Sequence, residues 1–161
     1  MLSKSDLETI ISHSVDREFN FGDEVEEILK DKILKPEEVF ELEADIPIKW
    51  SSGDLNFLKN LIEKVLISSM DTDERIKGMS NNWELERINL IDRILIHIAR
   101  AEFQYFEEIP PKVTINEIID IAKKYSTNKS GYFVNGVLDA LFIKLKNEEL
   151  IIKKGRGLIE K

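Results

Sequence analysis

The sequence predicts an all-α fold, and three observations carry that prediction. Glycine and proline are scarce, 7 and 4 among 161 residues, so little of the chain is punctuated by breakers. Apolar residues recur at spacings of three and four, the period of one face of a helix. A hydrophobic content of 42% excludes a wholly disordered chain. This length can bury an interior, in one domain or in two small helical units sharing a core.

Taken in order, Leu7, Ile10 and Ile11 mark a short first helix. Asp23 to Leu34 suggests a second, with Val25, Ile28, Leu29 and Ile33 on one side. Pro36 opens a further short helical piece containing Val39, Phe40 and Leu42, since proline suits a first helical turn. The stretch Ile46 to Gly53 breaks the period and reads as a loop. Ser52 or a neighbour can cap the next helix, whose stripe is Leu55, Leu58, Leu61, Ile62, Val65 and Leu66.

Asn81 and Asn82 then read as the cap of the longest helical stretch, Trp83 to about Phe106, with room for a bend. Pro110 and Pro111 stop it. Thr114 and Glu117 have the spacing of a capping box, so the following helix is expected to start at Thr114 and end near Tyr125. A polar turn, Ser126 to Gly131, leads to a last helix from about Tyr132 to Lys146. The sequence divides into an acidic helical segment (1–50), a helical domain (51–147) and a basic tail (148–161). The tail, with Lys153, Lys154, Gly155, Arg156 and Gly157, is expected to be mobile. There is no internal repeat and no low-complexity segment.

Composition narrows the function classes. There is no cysteine, hence no disulfide, thiol nucleophile or Cys-type zinc site. His13 and His97 are too few for a histidine metal cluster within one chain. No apolar run approaches the ~20 residues that span a bilayer, and the first residues do not form a signal peptide. A soluble, cytoplasmic protein is the expectation. The net charge of −8 is unevenly spread. Residues 1–111 carry 13 Lys and Arg against 25 Asp and Glu, a net of −12, whereas residues 112–161 carry 10 against 6, a net of +4. A basic last third on an acidic body leaves room for a local anion site and for a basic partner elsewhere.

Catalytic and metal motifs find little support. Asp92 and Glu102 lie on or beside the stripe of the long helix and could form an acid–base pair, as in glycosidases. Structural salt bridges, or acceptance from backbone N–H groups, serve them equally well. His97, between Ile96 and Ile98, lacks metal-binding companions and reads as a packed or surface histidine. Gly155-Arg156-Gly157 is no phosphate loop, and no serine sits in a nucleophile elbow. No catalytic residue, metal ligand or cofactor is assigned, and the chain is not expected to be an enzyme.

The stretch before the tail has a different character. Lys112, Lys123, Lys124 and Lys129 flank the loop leading into Gly131, Tyr132 and Phe133. Lysines can meet phosphates, Tyr132 or Phe133 can stack a base, and a helix N-terminus favours an anion. Alternatively the lysines form a solvated face and Phe133 belongs to the core.

Several blocks in order carry a family resemblance. They are Arg87-Ile88, Ile91-Asp92-Arg93-Ile94-Leu95, Ala99, Glu102-Phe103, the run Val113 to Tyr125, and Phe133-Val134-Asn135-Gly136-Val137-Leu138-Asp139. From about Leu55 to Leu141 the chain resembles the NusB family of transcription antitermination factors. The turn Ser126 to Gly131 and the Gly-Arg-Gly tail resemble its longer, Bacteroidetes-type branch. The resemblance implies two packed three-helix bundles, no catalysis, and binding to boxA-type ribosomal RNA leader together with NusE, a basic ribosomal protein. It also implies a place in the RNA polymerase antitermination complex. By position it puts RNA contacts at Phe133 and Lys129, with Tyr132, Lys123 and Lys124 as neighbours, and a partner contact at Asp92. Asn135 and Gly136 are assigned to close helix packing, and Asn116 and Glu117 to capping and internal hydrogen bonding.

One departure stands out. Family members usually open with an Arg-rich helix that contacts RNA, whereas residues 1–50 here carry 6 Lys and Arg against 14 Asp and Glu, a net of −8. Either a longer N-terminal portion carries that helix or the protein has lost it, and the first is the expectation. The first bundle is then incomplete, to be filled by the acidic segment or by a second copy of the chain. Two other readings remain: a protein–protein adaptor without RNA binding, and the RNA-guiding accessory domain of a ribosomal RNA methyltransferase. The latter calls for a nucleotide-binding domain beyond Lys161.

Overall fold

A computed structural model describes Asp6, residues 9–12, residues 50–79 and residues 85–154, with the Glu86 side chain excepted. The helices expected over 23–34 and after Pro36, the loop before Trp50, the Asn81–Asn82 cap and the Gly155–Gly157 tail lie outside these residues. Every regular element among the described residues is helical. The chain forms two compact units, residues 1–59 and 60–161.

In the first unit, Asp6 and residues 9–12 are helical, with Ile11 buried and Ile10 exposed. At its end Ser51 and Asp54 cap each other. The Asp54 N–H donates to Ser51 Oγ at 3.1 Å, and the Ser51 N–H donates to Asp54 Oδ2 at 2.9 Å. This is the reciprocal logic of a capping box with an aspartate in place of glutamate. It starts helix α1, Ser52–Lys77, 26 residues long and the longest described.

The second unit holds the later turns of α1, a short 3₁₀ turn at Leu85–Arg87, and helices α2 (Leu90–Tyr105), α3 (Pro111–Tyr125) and α4 (Ser130–Asn147). The single long helix expected from Trp83 is therefore interrupted. Asn89 is the reason: its side-chain oxygen accepts the Ile91 N–H at 2.9 Å and begins α2 afresh. The start of α3 is also earlier than expected. Pro110 occupies the cap and Pro111 the first turn, where a missing N–H costs nothing, so Thr114 is an interior, buried residue rather than a cap. Likewise α4 begins at Ser130, two residues before the expected start.

Helices α2, α3 and α4 pack pairwise around Leu95, Ile96, Ala99, Phe103, Ile118, Ala122, Val134, Val137, Leu138 and Leu141, with Ile76 of α1 in the same core. Phe103 meets Phe142 edge to face, with ring centroids 5.5 Å apart. Ala99, Ala101 and Ala122 are fully buried, which fits closely approaching backbones. Gly136 is not such a point: a Cβ there would meet nothing within 4 Å. The close approach lies instead at Gly131, where a Cβ would come within 3.0 Å of Lys123 Cγ.

Charged groups join α1 to α2. Asp73 accepts from Arg93 Nε at 2.9 Å and lies 2.8 Å from His97 Nε2, while Asp71 accepts from Arg75 and Arg100. His97 is thus engaged by a carboxylate. The expected mobility of the tail also needs correction up to Lys154. The Lys153 ammonium donates to the carbonyls of Glu102 at 2.8 Å and Phe106 at 2.7 Å, capping the C-terminal end of α2. Leu150 and Ile151 pack against the core.

Two predictions follow from this packing. Gly136→Ala, at an exposed mid-helix position, should stabilise the fold by about 0.5–1 kcal/mol, read as a raised urea midpoint. Burial alone would push the Asp73 carboxyl up, but hydrogen bonds from Arg93 and His97 and their charges outweigh it, and the net shift is downward. The stability it contributes is therefore complete above about pH 4 and lost as pH falls through the lowered native value. Asp73→Asn should flatten that acid limb; an unchanged limb would mean the ion pairs contribute nothing.

Candidate nucleic-acid interface

The start of α4 is built around one buried hydroxyl. Ser130, 1% exposed, donates from Oγ to Asp92 Oδ2 at 2.8 Å, and Asp92 is itself only 4% exposed in the first turn of α2. Its proton committed to the carboxylate, Ser130 Oγ accepts the Thr127 N–H at 3.1 Å. It also lies 2.8 Å from Thr127 Oγ1 and 3.0 Å from Ser126 Oγ. The turn 126–129 is thereby folded onto the first residue of α4 and fastened to α2. Asp92 Oδ1 is buried and has no hydrogen-bond partner among the described residues.

The fastened turn presents its other residues outward. Lys129 is exposed, and Tyr132 is 88% exposed. Phe133 is half-buried and packs against the core cluster, so its ring serves the fold and is only partly available to a ligand. Lys123 and Lys124 are exposed at the end of α3. Lys123 pairs with Asp120 at 3.0 Å, an exposed bridge of little energetic weight, and the Lys124 ammonium lies 5.4 Å from the centroid of the Tyr125 ring. Lys123 and Tyr132 come together in the wall of an open groove of about 520 Å³, shared with Ile119, Asn128, Gly131 and Asn135. Phe133, Lys124 and Lys129 are not part of the described lining.

Asp92 is placed differently from its expected role. A carboxylate this buried, fastened to Ser130, offers no surface to a partner in this structure. It holds the turn rather than facing outward. Nor does it pair with Glu102: ten residues of straight helix separate two side chains by ~15 Å along the axis, too far for a glycosidase pair. Burial pushes the Glu102 carboxyl above its ordinary value. No group of three or more potential metal ligands occurs among the described residues.

A family model described as the NusB family matches residues 17–142. The chain belongs to the NusB family. That match reaches well before Leu55, so the acidic N-terminal segment is largely included in it. Among NusB relatives, the transcription antitermination protein NusB of Chloroherpeton thalassium is 44% identical over 133 residues, covering 81% of this chain and 59% of that protein. The chain therefore spans well under two thirds of that relative. NusB of Salinibacter ruber is 43% identical over 114 residues, 71% of each chain. NusB of Clostridium botulinum is 35% identical over 119 residues, 73% of this chain and 83% of that one. These relatives are named as transcription antitermination proteins, not as enzymes. The solved structure of T. maritima NusB shares the all-helical fold, with a TM-score of 0.57 at 24% identity over 91% of this chain and 98% of that one. No helix among the described residues is long and apolar enough to cross a membrane.

Sequence reasoning missed Ser130 as the hub, and the amides of Asn128 and Asn135 as groove residues. The cluster Ser126, Thr127 and Ser130 was the available signal, since hydroxyls at spacings of three and four fold a turn on themselves. Ser130→Ala should cost ~1.5–3 kcal/mol, because it leaves the buried Asp92 carboxylate without its hydrogen-bond donor. Urea denaturation checks this, and a loss below ~0.5 kcal/mol would show that the hub is not holding the turn.

Proposed function

We propose that this chain is an antitermination factor that binds a boxA-type segment of ribosomal RNA leader together with a basic, NusE-type ribosomal protein. In this reading it is a non-catalytic adaptor of the RNA polymerase antitermination complex. Membership of the NusB family carries the reading, and the chemistry of the surface supports it. Lys123, Lys124 and Lys129 supply cations for phosphates, and Tyr132 and Phe133 supply ring faces for bases, on a rigidly fastened turn. The net charge of −12 over residues 1–111 suits a basic protein partner. Asp92 enters through the turn it holds, so partner contacts are assigned to exposed acidic residues instead.

The test is fluorescence anisotropy with a labelled boxA-type RNA, with and without the NusE-type protein, at two salt concentrations. Binding should tighten with the partner and weaken with salt. Lys129→Ala should lower the salt slope by about 0.7, one single-strand phosphate contact. Tyr132→Ala, at an exposed position, should weaken binding by ~1–3 kcal/mol without altering the thermal melt. Phe133→Ala is informative only if its melt is unchanged, because that ring also packs on the core. Partner binding with no RNA signal at either salt would replace this reading with a protein-only adaptor.

A further inference from the structure

We infer that the outer face of α1 is a self-association surface, on which a second copy of this chain packs antiparallel about a two-fold axis near Leu66 and Ile67. The inference is independent of the RNA reading and uses none of its residues. Over its later turns α1 reverses the usual order of inside and outside. Its buried positions are Ser68, Thr72 and Ile76, and the first two satisfy their hydroxyls on their own helix. Ser68 Oγ donates to the Lys64 carbonyl at 2.7 Å, and Thr72 Oγ1 donates to the Ser68 carbonyl at 2.8 Å. Small side chains there let the helix lie close on the core. Leu66, Ile67 and Met70 point outward instead, 46%, 69% and 78% exposed. Packing among the described residues makes little use of these large apolar side chains.

The stripe has the form of a two-helix seam. Asn60, Glu63, Ile67, Met70, Glu74 and Lys77 are all exposed and recur at alternating spacings of three and four, the period at which two helices pack along each other. Its charges suit a second copy of itself. Lys59 and Glu63 precede the apolar centre, and Glu74 and Lys77 follow it, a sum of zero that favours neither an acidic nor a basic partner. Parallel copies in register would set each charge against its own kind. An antiparallel pair centred midway between Glu63 and Glu74 would bring those two carboxylates together. Moving the axis by about half a turn, to between Leu66 and Ile67, sets Glu74 opposite Lys59 on both sides, while Leu66 of one copy meets Ile67 of the other. Such an interface is isologous, as a closed dimer requires. One helix against another buries less than the ~800 Å² per partner of standard interfaces, so the dimer is weak and concentration-dependent.

The experiment is sedimentation equilibrium of the full chain over a hundredfold range of concentration. The unaltered chain should pass from monomer to dimer, and Ile67→Asp, at an exposed position, should stay monomeric with its melt unchanged. Lys59→Glu and Glu74→Lys should each weaken the dimer about tenfold, and the double variant should restore it, because opposite charges meet again. The chain has no cysteine, so single-cysteine variants report the geometry cleanly. Mild oxidation should link Ile67→Cys into a covalent dimer and leave Lys77→Cys unlinked, since the two copies of position 77 lie ~30 Å apart across the axis. A chain that stays monomeric throughout, a dimer that Ile67→Asp leaves intact, or charge reversals without rescue overturns the inference. So does a Lys77→Cys link, which marks a parallel pair. A monomer whose affinity for the proposed ribosomal partner falls with Ile67→Asp assigns the face to that partner and overturns the inference as well.

Discussion

The hydrogen bond from Ser130 Oγ to Asp92 is the constraint on which this surface depends. A serine hydroxyl has one proton and two lone pairs, and the buried carboxylate takes the proton. What remains can only accept, so the N–H of Thr127 folds back to it and the turn closes. A short polar loop that would otherwise sample many conformations is thus held from inside the protein. Its exposed lysine and tyrosine inherit that order without spending their own polar groups on it. The arrangement separates the residues that fix the surface from those that face solvent.

Helical geometry lets adjacent residues do these different jobs. Successive side chains turn by about 100°, so four consecutive residues point around a full circumference. Ser130 turns toward α2, Gly131 lies under the Lys123 stem, Tyr132 points to solvent and Phe133 packs on the core. Asp92 mirrors this on α2, where it sits in the first turn between the exposed Ile91 and the half-buried Arg93. A carboxylate there also suits the positive end of the helix, so its burial is supported locally as well as by Ser130.

How much of this was legible depended on whether the deciding contact was local. The helical class, α3, α4 and the stop at Pro110–Pro111 follow from residue spacing and proline stereochemistry alone. The break before α2 did not, because an apolar period continues from Leu85 through Ile88 to Ile91 while the Asn89 cap interrupts the backbone. Thr114 and Glu117 matched a capping pattern, but two prolines upstream offered an earlier start. The exposed lysines and Tyr132 were legible as a surface. The inward role of Asp92 was not, since Ser130 lies 38 residues away and no pattern along the chain pairs them. The same holds for Lys153, whose order comes from carbonyls about fifty residues earlier.

The charge of the chain poses an apparent conflict with an anionic ligand, and screening limits it. At physiological ionic strength a charge is screened over about 8 Å, so a phosphate at Lys129 or Lys123 does not sense the sum over all residues. What matters is the sign of the groups within that radius and whether they are held there. Lys123, Lys124 and Lys129 lie at the end of α3 and just before α4, and Asp120 is the carboxylate paired with Lys123. Rigidity and charge distribution act together in this account. A mobile lysine cluster would attract RNA without registering it, and a fastened turn without lysines would register nothing.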